Sequence, residues 1–268
     1  MGVVNVTTDS FYDGGRYIEP ERAIAHALEL VEQGADIIDV GGESTRPGAG
    51  SVREKDELAH VIPVVKGLAH RVSVPISIDT TKSRVAEVAL DCGASIINDV
   101  SALRHDPAMA SIIARFDAGV VLMHMQGTPQ TMQQSPRYSD VVGEVVSFLD
   151  ERVQAALRAG IAGTNIVLDP GFGFGKLVNH NLHLLDGLSA VAALDRPVLV
   201  GLSRKAFIGK VVGRPVEHRE WGTAATVALA VDRGAHILRV HDVAMMIDVV
   251  KMAAALNPRW FCREDHDA

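Results

Sequence analysis

One unit recurs along the chain and limits the folds open to it: an amphipathic stretch stops at Gly-Ala, a short β-branched run follows, and that run ends on a polar residue. It is read in EQGADIIDV (32–40), DCGASIINDV (91–100) and DRGAHILRVHD (232–242). Glycine just past a helix end adopts the left-handed conformation that closes the last turn. Ile and Val runs of this length suit parallel strands buried on both faces. Each copy therefore reads as a helix followed by a buried strand.

Extending the reading predicts strands at 2–6, 36–40, 75–79, 95–99, 119–124, 165–169, 197–203 and 236–240. Helical patterns fill the gaps, among them ERAIAHALELVEQ, EKDELAHVIPVVKGLAH, KSRVAEVALDC, PAMASIIARF, DVVGEVVSFLDERVQAALRAG and DVAMMIDVVKMAAAL, with others near 180–194 and 222–233. Strict alternation without a linker predicts an α/β fold, a single (β/α)8 TIM barrel over residues 1–256 followed by a polar tail at 257–268. An open doubly wound sheet ranks second, because no glycine fingerprint follows the first strand.

The 268 residues suit one barrel, and 47% hydrophobic with 22% charged residues supplies an ordinary core. A net charge of −7 and a pI of 5.9, with Lys and Arg scattered, predict no nucleic-acid partner. Cys92 and Cys262 stand far apart, as expected of inert thiols in a reducing compartment. No apolar run reaches the ~20 residues of a membrane span and no secretory leader opens the chain, so a cytoplasmic protein is expected.

In such barrels, chemistry gathers at the C-terminal strand ends. There the sequence sets Asn5, Asp39, Asp79, Asn98, His124, Asp169, Ser203 with Lys205, and Arg239 with His241. Any one of these alone reads as a helix cap; all eight ends together read as a site. Asp79, Asn98 and Asp169 offer donors, acceptors and negative charge, while Lys205 and Arg239 are cationic. The mixture suits a planar heterocycle with amidine-like N–H edges and a carbonyl. A histidine-built metal cage is not expected, since the spacings are wrong. Nothing in the spacing requires Asp79 and Asp169 to act as an acid–base pair.

The loops add detail. GGESTRPGAG (41–50) places Thr45 and Arg46 before a Pro47-Gly48 turn, where an arginine fork meets a phosphate or carboxylate or else simply lies at the surface. DPGFGFGK (169–176) is not a P-loop, because Pro170 stands where its first glycine belongs and Leu177 where Ser or Thr would be. It reads as a flexible loop carrying Phe172 and Phe174 over the mouth, with core packing of both rings as the alternative. GLSRKAFIGK (201–210) sets Ser203, Arg204 and Lys205 at a helix start that attracts anions.

With these segments assembled, the sequence closely resembles the bacterial dihydropteroate synthases, the pterin-binding barrels of folate synthesis. NVTTDSFYDGG, DIIDVGGESTRPGA, PISIDTTK, SIINDVSAL, LMHMQGTPQTMQ, LDPGFGFGK, GLSRKAFIG and RVHDV follow that family's signature segments in order. The resemblance implies condensation of 6-hydroxymethyl-7,8-dihydropterin pyrophosphate with p-aminobenzoate, through dissociative loss of pyrophosphate. It implies that Asp39, Asp79, Asn98, Met123, Asp169 and Lys205 hold the pterin, and that Asn5, Arg239 and His241 take the pyrophosphate, with Asn5 also on Mg2+. By the same likeness, Phe11, Thr45, Arg46, Pro47, Phe174 and Lys205, with the first loop around Asp9, enclose p-aminobenzoate. Asp79, Asp169, Lys205, Arg239 and His241 carry the catalysis, and a homodimer is implied.

Four departures from the family pattern stand out. Thr8 replaces a usual proline, Tyr12 a small polar residue, and Ala206 a serine that often contacts the p-aminobenzoate carboxylate. The residues that usually precede the first strand are missing, so a less well closed barrel floor is expected. A methyltetrahydrofolate–corrinoid methyltransferase or a non-catalytic pterin binder would keep the ring clamp. The methyltransferase would not need STRPG, SRK and RVHD, and the binder would be expected to lose Asn5, Arg46, Lys205 or Arg239.

Overall fold

The computed structural model describes residues 1–6, 18–45 and 47–257. The predictions on Thr8, Asp9, Phe11, Tyr12, Arg46 and the tail beyond Asn257 lie outside the described residues. Eight strands run in order: β1 (Gly2–Asn5), β2 (Ile38–Gly41), β3 (Ile76–Asp79), β4 (Ile96–Asp99), β5 (Gly119–Met123), β6 (Ile166–Asp169), β7 (Leu199–Val200) and β8 (Ile237–Leu238). Around them lie α1 (Ile18–Glu32), α2 (Glu54–Leu68), α3 (Ser83–Asp91), α4 (Met109–Arg115) and α5 (Val141–Arg158). The circuit continues with α6 (Val178–Asp186), α7 (Leu188–Ala192), α8 (Ala206–Val212), α9 (Glu220–Asp232) and α10 (Val243–Leu256).

All pairings are parallel, from β1 through β6 and again between β7 and β8. Two single bridges, Leu168 to Val198 and Gly2 to Val240, join the two groups at both seams. Backbone bonds from Leu168 N to Pro197 O (2.9 Å) and from Val240 N to Met1 O (3.0 Å) sew the same seams. The sheet therefore closes as a (β/α)8 barrel, and no open edge is left between β6 and β7 or β8 and β1.

The Gly-Ala punctuation works as expected. Gly34, Gly93 and Gly234 hold φ of 97°, 109° and 100°. The alanine after each reaches back to the helix, Ala35 N to Leu30 O at 2.9 Å, Ala94 N to Ala89 O at 3.0 Å and Ala235 N to Ala230 O at 2.9 Å. All three alanines are buried, so the small side chain is what lets the strand turn in beneath the helix.

Alternation within the strands divides the core into two. Ile38, Val40, Ile78, Ile97, Val120, Leu122, Ile166 and Leu168 join the large helix-facing cluster. Met1, Val121 and Leu199 form a separate cluster with Ile37, Ile96, Val167 and Ile237, which fills the barrel's lower interior. Met1 belongs to this floor, and its amino group donates to Leu238 O at 3.0 Å. Met1 thus takes part in the apolar layer at this end of the barrel. One step further along each strand the inward positions become Asp39, Asp79, Asn98, Met123, Asp169 and Arg239, and the apolar floor gives way to a polar mouth.

Candidate active site

Asp39 is fully buried at the centre of the mouth. It accepts from Ser77 Oγ (2.6 Å), Asn98 Nδ2 (3.2 Å) and Arg239 Nε (2.6 Å). Arg239 Nη2 also donates to Asp79 Oδ2 at 3.0 Å. One guanidinium thus spans two carboxylates carried by neighbouring strands, a bidentate geometry that lysine does not match. Ser77 was missed at the sequence level, although its position two residues before Asp79 on PISID marks it as facing inward too.

Burial pushes the Asp79 carboxyl up to about 7, against the pull of Arg239. Burial also raises Asp169, opposed by the Gly171 N–H that donates to its Oδ1 at 2.7 Å. Lys205 is held down to about 8 by burial, with Asp169 working the other way. Its ammonium lies 4.4 Å from the centre of the Phe174 ring. Three carboxylates and two cations therefore share one low-dielectric mouth, where charges act on a bound ring with little screening.

His241 sits on the loop after β8, with Nδ1 3.0 Å from Ser203 Oγ, and its backbone N–H donates to the same oxygen at 3.3 Å. Ser203 Oγ thus accepts from the His241 backbone and pairs with the ring nitrogen Nδ1, which fixes the orientation of the imidazole. Burial, with Arg239 and Arg204 nearby, pushes this imidazole down to about 4, so it is neutral at pH 7. Beside this contact Arg204 grips Asp242 through Nε (3.0 Å) and Nη2 (2.6 Å). Two successive residues on each loop are thus paired, which sets Lys205 beside the segment carrying Arg239. Because β1 adjoins β8, exposed Asn5 ends its strand on the same side of the mouth.

The apolar wall is made of Met123, Met125, Met132 and Val100, with Phe174 packed against them. Phe172 takes the other fate: it is 1% exposed and stacks with Phe207 at 6.4 Å between ring centres. The loop at 169–176 carries the two rings differently, Phe172 into the core and Phe174 onto the methionine wall. Gly171, Gly173 and Gly175 all hold positive φ, and a Cβ at Gly171 would lie 1.9 Å from His124 O. The loop is laid flat on the segment after β5, and its polar groups are tied down.

Not every polar strand end joins the ring. His124 turns to the helix side, edge-on to Phe148 at 4.9 Å between centres, and burial with Lys176 beside it pushes it down to about 3. Its neighbour Met123 points inward, as period two requires. On the facing loop Glu43 is bound by Lys82, which also holds Glu57 of α2. Glu57 is wholly buried, and this pair anchors the segment that leads to Thr45 and Pro47. Gly48 N then donates to Pro129 O at 3.0 Å. Among the described residues, no group of three or more His, Cys, Asp or Glu could hold a metal ion, and no helix is long and apolar enough to cross a membrane.

A family model for pterin binding enzymes matches residues 1–241. The dihydropteroate synthase of Bacillus subtilis is 46% identical over 96% of this chain and 87% of that protein. The chain belongs to the dihydropteroate synthase family. Among solved dihydropteroate synthases, that of Yersinia pestis with a sulfonamide drug complex superposes with a TM-score of 0.90 at 42% identity, covering 95% of this chain and 92% of that one. The Xanthomonas albilineans dihydropteroate synthase in complex with 7,8-dihydropteroate gives 0.86 at 46% identity, covering 95% and 91%. As a dihydropteroate synthase family member, the chain is a transferase of folate biosynthesis.

Proposed function

We propose that the protein condenses 6-hydroxymethyl-7,8-dihydropterin pyrophosphate with p-aminobenzoate, giving 7,8-dihydropteroate and pyrophosphate. The observation that carries this reading is the barrel mouth, where Asp39, Asp79, Asn98, Asp169, Lys205 and Arg239 converge above an apolar floor. A planar ring with amine and amide edges meets acceptors at Asp79 and Asp169, a mixed partner at Asn98 and a donor at Lys205. Met123 supplies the face on which it lies. Asp39 acts from behind, orienting Asn98 and Arg239.

The reaction begins with loss of the C–O bond of the pyrophosphate ester, whose electron pair departs with pyrophosphate. Positive charge left on the methylene spreads into the pterin ring, where the Asp79 and Asp169 carboxylates stabilise it. The amine nitrogen of p-aminobenzoate then forms the C–N bond and releases its proton to solvent. No protein nucleophile is consumed. Arg239 and His241 receive the pyrophosphate, and Arg239 links that charge to the ring pocket through Asp39 and Asp79.

Asn5 at the exposed end of β1 fits a Mg2+ role, because magnesium takes few protein ligands and completes its shell with water and substrate phosphates. When bound there, the ion supplies charge that favours the departing pyrophosphate. The arylamine is assigned to Thr45, Pro47, Phe174 and Lys205, together with Arg46 and Phe11, which lie outside the described residues.

A homodimer completes the reading. Val211, Trp221, Leu229, Met252 and Leu256 are exposed apolar side chains on α8, α9 and α10, and Trp221 is 76% exposed. Such a patch on one side of a barrel suits a second copy, and W221E is expected to shift sedimentation from dimer to monomer. The compartment in this reading is the cytoplasm, where a thiol such as Cys92 stays reduced.

The direct test mixes purified protein with dihydropterin pyrophosphate, p-aminobenzoate and Mg2+ and follows release of pyrophosphate and dihydropteroate. Formation of both products is expected. Folded protein that binds the pterin without turnover would overturn the reading in favour of a binding protein.

A further inference from the structure

The reaction above uses Phe174 alone from the 170–176 loop, yet the most elaborate construction there surrounds Lys176. This side chain is 3% exposed. Its Nζ lies 2.9 Å from His124 Nδ1 and donates to the carbonyls of Gly171 (2.9 Å) and Phe174 (3.1 Å), with His124 O at 3.5 Å. Among the described residues no carboxylate forms an ion pair with it. Burial accordingly pulls its pKa down to about 7, with Asp169 opposing from a distance. A buried cation is costly to a fold, and here its hydrogen bonds go to the carbonyl just before Phe172 and to that of Phe174 itself.

The same loop is held from outside. Gln133 Nε2 donates to Gly173 O at 2.6 Å and Tyr138 Oη to Gly175 O at 2.8 Å, while Gly173 N donates to Asn181 Oδ1 at 2.7 Å. Carbonyls at 171, 173, 174 and 175 are therefore all engaged. The close passage of Gly173 beneath Lys205, whose Cδ would sit 3.2 Å from an added Cβ, keeps the loop tight on the mouth.

We infer that Lys176 is a positioning residue for the condensation: acting through the carbonyls of Gly171 and Phe174, its ammonium fixes the Phe174 ring over Lys205. Gln133 and Tyr138 brace the loop from the opposite side. The inference rests on the assignment of Phe174 to the p-aminobenzoate side.

The test compares steady-state kinetics and melting temperatures of wild type, K176M, Q133A, Y138F and F174A. K176M is expected to raise KM for p-aminobenzoate roughly tenfold or more while KM for the pterin changes by less than about threefold, since charge-assisted bonds to the loop are lost. Q133A and Y138F each remove one neutral bond from a folded barrel and should move the same constant by about two- to fivefold. F174A checks the underlying assignment separately. If F174A leaves KM for p-aminobenzoate unchanged, the Phe174 assignment fails, whatever Lys176 does. If F174A raises it while K176M stays within twofold, the positioning role of Lys176 is overturned. Should K176M fail to fold, Q133A and Y138F decide by the same criterion. Equal rises in both KM values would likewise overturn the inference, because a general loss of structure does not select one substrate.

Discussion

Asp79→Asn separates binding chemistry from stability, because the two are expected to move in opposite directions. Burial holds the Asp79 carboxyl near 7 rather than 3.8. At ~1.4 kcal/mol for each tenfold change in the protonation equilibrium, keeping it ionised at pH 8 costs the fold at most about 4 kcal/mol. The amide removes that cost and weakens the bond from Arg239 Nη2, now at 3.0 Å, by about 1–2 kcal/mol. Arg239 keeps its bond to Asp39, so no guanidinium is orphaned. The net expectation is a variant more stable at pH 8 by on the order of 2 kcal/mol. The sign with pH follows from the raised value: as pH falls from 8 through about 7 towards 5, wild-type Asp79 takes up its proton and recovers the difference. Turnover should fall by about 2–4 kcal/mol in transition-state terms, since a preorganised negative charge opposite a cationic ring is lost. Urea unfolding at pH 8 and pH 5, with steady-state rates at pH 8, measures both. A variant less stable than wild type at pH 8, or a stability gap identical at the two pH values, would refute the desolvation argument. Activity within about fivefold of wild type would refute the catalytic role.

Three further outcomes are expected. Lys205, held down to about 8, loses its charge as pH rises through that value, so kcat/KM should fall on the alkaline side; Lys205→Arg should shift the fall upward, and an unshifted profile would assign it to another group. Gly171→Ala would place a Cβ 1.9 Å from His124 O at a φ of 69° and should cost about 2 kcal/mol or more in thermal or urea unfolding. Lys82→Met strands the wholly buried Glu57 carboxylate, with an expected loss of about 3–5 kcal/mol in urea unfolding, and a stability change under 1 kcal/mol would refute the dependence of this segment on the Lys82 pair.

Much of the architecture was legible because strand and helix periods are local. The Gly-Ala joints, the eight apolar runs and the polar residue at each run's end come from short-range rules, and a strand end in a parallel barrel is also a position at the mouth. Asp39, Asp79, Asn98 and Asp169 could therefore be placed at the mouth as strand ends, whereas the fifth run offered His124, which turns to the helix side, and Met123 entered only through the family resemblance. Other features depend on distance along the chain. Arg239 meets Asp39 across 200 residues, and the alternation rule puts both in the mouth without pairing them. Phe172 and Phe174 look equivalent in DPGFGFGK, yet one is core and the other lies against Lys205, because the direction of each ring depends on the left-handed glycines at 171, 173 and 175 that separate and flank them. Lys176 in the same segment resembles a failed phosphate-binding lysine, and only the packed loop shows that its partners are carbonyls.

The sequence by itself determined the barrel, the end of it that carries chemistry and the kind of ring that end can bind, since periodicity and residue chemistry act over a few positions. Tertiary structure alone decided which charges neutralise one another, which aromatic ring packs at the mouth and which lysine is bound by carbonyls. Those outcomes depend on burial, and burial is produced only when strands distant in sequence close on one another.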